Sequence, residues 1–193
     1  MGRANRIYLA LVHYPVLNKN NERITTSITN LDIHDIARCV ATYAVEKYYL
    51  IHPLDSQERL VQEVIDYWQK GYGAVYNPDR KEALQRVAVK KSLAAVKEEI
   101  VRQDGREPQI IVTDAQDFPR SVSYPYMRQI LEENRAESYL LLFGTGWGIA
   151  PEIVDEADFV LAPVYGANST YNHLSVRSAA AIILDRLLGE KWW

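Results

Sequence analysis

Ser138-Tyr139-Leu140-Leu141-Leu142-Phe143-Gly144-Thr145-Gly146-Trp147-Gly148 decides how this chain is read: a hydrophobic run of strand length breaks into a loop in which glycine alternates with other residues. A second junction follows where 158–162 runs into Pro163-Val164-Tyr165-Gly166, and a third segment, Tyr171-Asn172-His173-Leu174-Ser175-Val176-Arg177, opens a final helix. Three loops beside buried elements, rich in glycine or short polar residues, bring backbone N–H and C=O groups to one small ligand. Such a site reads its ligand with main chain.

Outward from that stretch, the spacing predicts about six strands alternating with helices. Residues 7–12 form an apolar run ended by Tyr14-Pro15 and read as a buried first strand. The runs 48–51, stopped by Pro53, 109–112, ending in Thr113-Asp114-Ala115, and 139–143 read likewise, and a short strand is expected within 83–89. Helical spacing covers 32–46 through Ile33, Ile36, Ala37, Val40, Ala41 and Ala44, with Asp32 as the expected cap. Further helices are expected at 56–71, 92–102 and 125–134, and a last one carries Val176, Ala180, Ile183, Leu184 and Leu187 up to Gly189. This alternation predicts an α/β fold, a mostly parallel sheet with helices on both faces.

At 193 residues and 48% hydrophobic, the chain is expected to form one domain over 1–193 with a substantial core and no linker. A single cysteine, Cys39, excludes an intramolecular disulfide and suits a reducing, cytoplasmic setting; beside a helical apolar face it reads as a small packed side chain, not a nucleophile. The basic N-terminus is followed by too short an apolar run for a signal peptide or a membrane span, so no membrane partner is expected. A net charge of −3 excludes a protein coated in basic surface. The small clusters at 18–23 and Lys90-Lys91 read as solvated surface. His13, His34, His52 and His173 lack metal-ligand spacing, so no metal is expected.

The glycine loop invites a dinucleotide reading. That fingerprint belongs after the first strand, with an acidic residue about 20 positions later, whereas this loop lies late and Pro163, Val164 and Tyr165 stand near that distance. An uncharged or zwitterionic ligand is favoured over a phosphate, with a plain tight turn as the bland alternative.

Three segments resemble the SPOUT (SpoU–TrmD) superfamily of S-adenosylmethionine-dependent RNA methyltransferases. They are Asp32-Ile33-His34-Asp35-Ile36-Ala37-Arg38, similar to the helix the SpoU branch places after its first strand; Leu140 to Ile149, similar to the strand and glycine loop beneath the cofactor; and Asn172-His173-Leu174-Ser175-Val176-Arg177-Ser178-Ala179, similar to the segment that starts the last helix. The resemblance implies a C-terminal trefoil knot, an exception to the rule that chains do not thread their own loops, and a homodimer with a shared active site. It implies S-adenosyl-L-methionine as cofactor, an RNA substrate (tRNA or rRNA), and backbone of Phe143, Gly144, Gly146, Gly148, Leu161, Ala162, Leu174, Ser175 and Val176 holding the cofactor, with Thr113 flanking it. Arg38 matches the catalytic arginine, and Arg177 is a candidate partner for a carboxylate or an RNA phosphate.

Asp32 stands where that branch has asparagine, which bears on 2′-hydroxyl methylation. Asp35 is a candidate base, with helix-cap partner as the simpler role. A bulky side chain at Gly146 is expected to block close approach of a cofactor. Tyr124, Tyr126, Tyr165 and Tyr171 are candidates for stacking on RNA bases, and Trp192-Trp193 for packing on a partner subunit. Two rival readings are a noncatalytic, RNA-associated module that keeps the pocket, and a nucleotide-dependent α/β enzyme.

Overall fold

Strands buried on both faces make the centre of the molecule, and the two-residue period of each sends alternate side chains to opposite layers. The computed structural model describes residues 5–134 and 136–190; the Trp192-Trp193 pair lies outside them. The chain begins β1 (Arg6–Val12), the short pair β2 (Val16–Leu17) and β3 (Arg23–Ile24), α1 (Asn30–Thr42), β4 (Lys47–Ile51) and α2 (Asp55–Gln69). It continues through α3 (Tyr72–Tyr76), α4 (Pro78–Leu84), β5 (Val87–Lys90), α5 (Leu93–Asp104), β6 (Gln109–Thr113), β7 (Ser121–Val122) and α6 (Tyr124–Glu133). It ends with β8 (Ser138–Gly144), α7 (Pro151–Asp155), β9 (Phe159–Leu161) and α8 (Val176–Leu188).

Seven strands form one sheet in the order β5-β4-β1-β8-β6-β9-β7, and every pair in it is parallel. In β1, Ile7, Leu9 and Leu11 join the layer built with α1, α2, α4, α6 and α8, while Tyr8, Ala10 and Val12 join the layer built with α5 and α7. The α/β expectation therefore holds. The seventh strand, β7, is two residues long and carries no periodic signal.

Three boundaries differ from expectation. Helix α1 starts at Asn30, capped by Thr29, whose hydroxyl accepts the Asp32 N–H at 3.2 Å; Asp32 is in the first turn and is not the cap. The same helix ends at Thr42 because Ala44 is left-handed (φ 53°) and Val45 N–H returns to Val40 O at 3.0 Å, which leaves Ala44 exposed instead of on the apolar face. The strand expected within 83–89 begins only at Val87: Asn77 caps α4 by accepting the Arg80 N–H, and Pro78 fills its first turn, so 78–84 is helical.

Candidate active site

The carboxyl ends of β6 and β8, with the loops after β9, surround a cavity of about 700 Å³, where open parallel sheets commonly place ligands. The register Thr113↔Phe143 brings the residue after β6 beside the glycine loop. The loop itself is clamped by segment 12–17: Thr145 N–H donates to Val12 O at 3.3 Å, Trp147 N–H to Leu17 O at 2.9 Å, Leu17 N–H to Gly148 O at 3.0 Å, and Ala150 N–H to Pro15 O at 3.2 Å. A polar relay backs it, running from His13 Nδ1 to Thr26 Oγ1 (3.0 Å), to Thr145 Oγ1 (2.5 Å), and on to Val12 O (3.1 Å). His13 is fully buried; burial, reinforced by the nearby His52, pushes its pKa down to about 4, so the ring is neutral at physiological pH.

Two glycines are required by the chain's own neighbours. Gly146 has φ +63°, and a Cβ there would lie 2.8 Å from Leu17 O. Gly148 has φ +111°, and a Cβ there would lie 2.9 Å from Asp114 Oδ2. A side chain at Gly146 therefore meets the Leu17 backbone before any ligand, which corrects the expectation that substitution there tests cofactor approach directly.

Of the residues expected to hold a cofactor, Thr113, Phe143, Gly144, Gly146, Gly148, Leu174, Ser175 and Val176 all line the cavity. Leu161 and Ala162 do not: Leu161 is buried in β9, and Ala162 N–H is spent on Val122 O at 2.9 Å, while Val164 supplies the wall instead. Segment 172–177 is tied across the opening, where Asn172 Nδ2 donates to Ala115 O at 2.6 Å.

Arg177 lines the cavity but is engaged by two carboxylates, Asp32 Oδ1 at 3.0 Å and Asp35 Oδ2 at 3.3 Å. Asp32 is buried and uses its other oxygen to accept the Thr29 hydroxyl at 2.6 Å. This is an anchor for Arg177, not a poised base, and Asp35 serves the same pair. Arg38, by contrast, is exposed on α1 and absent from the cavity wall of its own chain. Cys39 is half-buried, and burial pushes its thiol pKa up, as a packed side chain requires.

Sequence reasoning missed Asp114. It lines the cavity, accepts the Gln116 N–H at 2.8 Å, and its pKa is raised because burial outweighs that hydrogen bond. The signal was an acid directly after a buried strand, the position from which α/β proteins reach a ribose hydroxyl. The charged lining is thus two carboxylates, Asp32 and Asp114, facing one guanidinium, Arg177. That balance suits a cation and opposes a polyphosphate.

A family model described as SAM-dependent RNA methyltransferase matches residues 6–189. The chain is 42% identical over 184 residues to an uncharacterized protein of Aquifex aeolicus, covering 95% of this chain and 89% of that one. It is 44% identical over 184 residues to a tRNA (guanine-N(1)-)-methyltransferase of Nitratidesulfovibrio vulgaris, covering 95% of this chain but only 42% of that protein, so it spans less than half of that relative's length. Among solved structures, the TrmH/SpoU tRNA modifying enzyme of A. aeolicus shares the fold at 20% identity, with a TM-score of 0.54 and coverage of 97% of this chain and 76% of that one.

Proposed function

The chain belongs to the SAM-dependent RNA methyltransferase family, and on that premise we propose that it binds S-adenosylmethionine in the cavity at the ends of β6 and β8 and transfers the methyl group to a tRNA or rRNA. The observation that carries this reading is the charge balance of the cavity. Asp32 is consumed by Arg177, which leaves Asp114 as a carboxylate beside the glycine loop for the sulfonium, the ammonium or the ribose hydroxyls. Backbone of Gly144, Gly146, Gly148, Leu174, Ser175 and Val176, with Thr113 at the side, surrounds the rest of the cofactor.

The acceptor is proposed only as RNA. The relative named for guanine N1 chemistry has more than half of its length outside the match, so that activity is not carried to the shared segment. The return of 172–177 against Ala115 and Asp32 as α8 begins supports a knotted C-terminus. Arg38 is exposed on α1 and does not line the cavity of its own chain, which is consistent with its proposed catalytic role, orienting the acceptor or holding its phosphate, being played at the cavity of a second copy in a homodimer. Exposed Trp147, Tyr165 and Tyr171 stand at or near the opening, where bases can stack.

Isothermal calorimetry with S-adenosylmethionine, NAD and ATP, followed by transfer of labelled methyl to unfractionated tRNA and rRNA, tests the reading. Binding of S-adenosylmethionine alone, with label entering RNA, is the expected result. Preference for NAD or ATP would overturn the cofactor, and binding without transfer to either RNA pool would favour the noncatalytic reading.

A further inference from the structure

A second groove, of about 490 Å³, lies between α1, α2 and α4, lined by Asn30, His34, Tyr67, Trp68 and Arg80 among others, with Glu63 its one carboxylate, which is not within ion-pair distance of Arg80. None of these residues lines the cofactor cavity. Trp68 is held on several sides: the Arg80 guanidinium sits 4.5 Å from its ring centroid, and the His34 and Tyr67 rings meet it edge-on at 5.6 and 5.2 Å. Tyr67 is 51% exposed, and the ring surface continues onto α3, where Tyr72 and Tyr76 stack at 6.0 Å and are 72% and 73% exposed. Helix α3 is seated on this cluster, since a Cβ on Gly73 would lie 2.7 Å from the Trp68 ring and 2.9 Å from the Tyr67 ring.

About half of the described arginines lack a carboxylate partner, Arg80 in this groove and the nearby Arg38 among them. Arg6, Arg23, Arg106 and Arg177 each pair with a carboxylate. Among the described residues, neither Arg80 nor Arg38, one turn beyond His34 on α1, has a carboxylate within 4.0 Å. His34 Nδ1 and Arg80 Nε are also buried without a hydrogen-bond partner. The His34 pKa is lowered, by burial first and then by Arg80, with Arg38 adding to the effect against Asp35, so all three groups share one local field. An apolar protein partner would bury an unpaired guanidinium at high cost. A nucleotide supplies both missing parts, a flat face for exposed tyrosine and a phosphate for arginine.

We propose that this groove takes an unpaired nucleotide of the RNA substrate, with its base against Tyr67, its phosphate on Arg80, and the strand continuing along α1 toward Arg38. This rests on the RNA-modifying reading above and adds to it a docking site away from the cofactor.

The test is fluorescence anisotropy of end-labelled, unfractionated bacterial tRNA with the full chain, alongside calorimetry with S-adenosylmethionine. Tyr67→Ser and Arg80→Gln are each expected to weaken tRNA binding about tenfold and to leave cofactor affinity within about twofold, as expected for sites that share no residue. Tyr67→Phe, which keeps the stacking face, should restore binding, and Arg80→Gln should flatten the salt dependence by about one counterion. Parental tRNA affinity in both folded variants would overturn the groove and leave the cofactor reading intact. Failure of the parent chain to bind S-adenosylmethionine would instead sink the function itself. Unchanged tRNA binding with a changed oligomeric state in Tyr67→Ser would assign this face to a second copy of the chain and overturn the proposal.

Discussion

At the amino end of the sheet, Asp104 is surrounded by donors; at the carboxyl end, Asp114 faces a cavity with two backbone N–H groups for company. Asp104 closes α5 with its side chain only 3% exposed, and it pairs with Arg6, accepts Tyr8 Oη at 3.0 and 3.1 Å, and accepts Ser138 Oγ at 2.5 Å. The Tyr8 hydroxyl is correspondingly pushed up to about 12 by burial and by its hydrogen bond to Asp104. At Asp114 the carboxyl's own pKa is raised, because burial is incompletely compensated by the Ala115 and Gln116 N–H groups. One carboxylate is arranged to hold strands together. The other faces the cavity at a cost to folding stability, and on the proposed function its partner is a cation of the cofactor.

The largest expected effect separates the two ends most sharply. Asp104→Ala removes the common acceptor of three buried or half-buried donors and is expected to destabilise the fold by about 3 kcal/mol. Urea unfolding measures this, with S-adenosylmethionine affinity of the folded protein unchanged. A loss below about 1 kcal/mol would mean that water replaces Asp104 without cost, and the contrast between the ends would collapse.

A smaller effect is expected in binding. Asp114→Asn keeps the acceptor for Gln116 but removes the charge, and should weaken S-adenosylmethionine by about thirtyfold, on the order of 2 kcal/mol. Affinity for S-adenosylhomocysteine, which lacks the sulfonium charge, should fall less. Gly148→Ala is the companion, because its Cβ would press on the Asp114 carboxylate at 2.9 Å from a left-handed backbone. It is expected to lower cofactor affinity by displacing that group, whereas Gly146→Ala strikes Leu17 O and should appear chiefly as lost stability. Equal affinity losses in Asp114→Asn for both ligands would exclude the sulfonium as its partner and leave the ammonium or the ribose, which both ligands share.

These positions also mark what could be read before the fold was known. Strands β1, β4, β6 and β8 were legible because burial on both faces writes each as an unbroken apolar run, and the glycine loop was legible because it ends one of them. Strand β7, with two residues, is placed by its pairing with the distant β9, while α3, with five, is seated on Tyr67 and Trp68 of the preceding helix and is too short to carry a periodic signal. Helix α4 did have a local signal, Asn77-Pro78-Asp79, which the apolar content of 83–89 obscured. In the site, the loop residues were found from their own neighbourhoods. Asp114 reaches that loop only through the pairing of β6 with β8, and the Asp32–Arg177 pair joins residues 145 positions apart. No local spacing encodes either partnership.

The smallest expected effect is the most discriminating, since its sign differs between the two ends. The Asp114 pKa is raised in the folded protein, so folding favours the protonated form. At neutral pH, where the carboxyl is ionised in both states, the charge therefore costs stability, and that cost fades as pH falls toward and through the raised folded value. Asp114→Asn should accordingly stabilise the cofactor-free protein at pH 7, and the advantage should shrink in acid. Bound S-adenosylmethionine reverses the preference, because a cation favours the carboxylate. Cofactor affinity of the parent should fall as pH drops through the raised value, while that of the asparagine variant stays flat over the same interval. Thermal unfolding and calorimetry across the acidic range measure the two halves. If Asp114→Asn instead loses stability at pH 7 as Asp104→Ala does, Asp114 is a structural acceptor like its counterpart, and the two ends of the sheet use their acids alike.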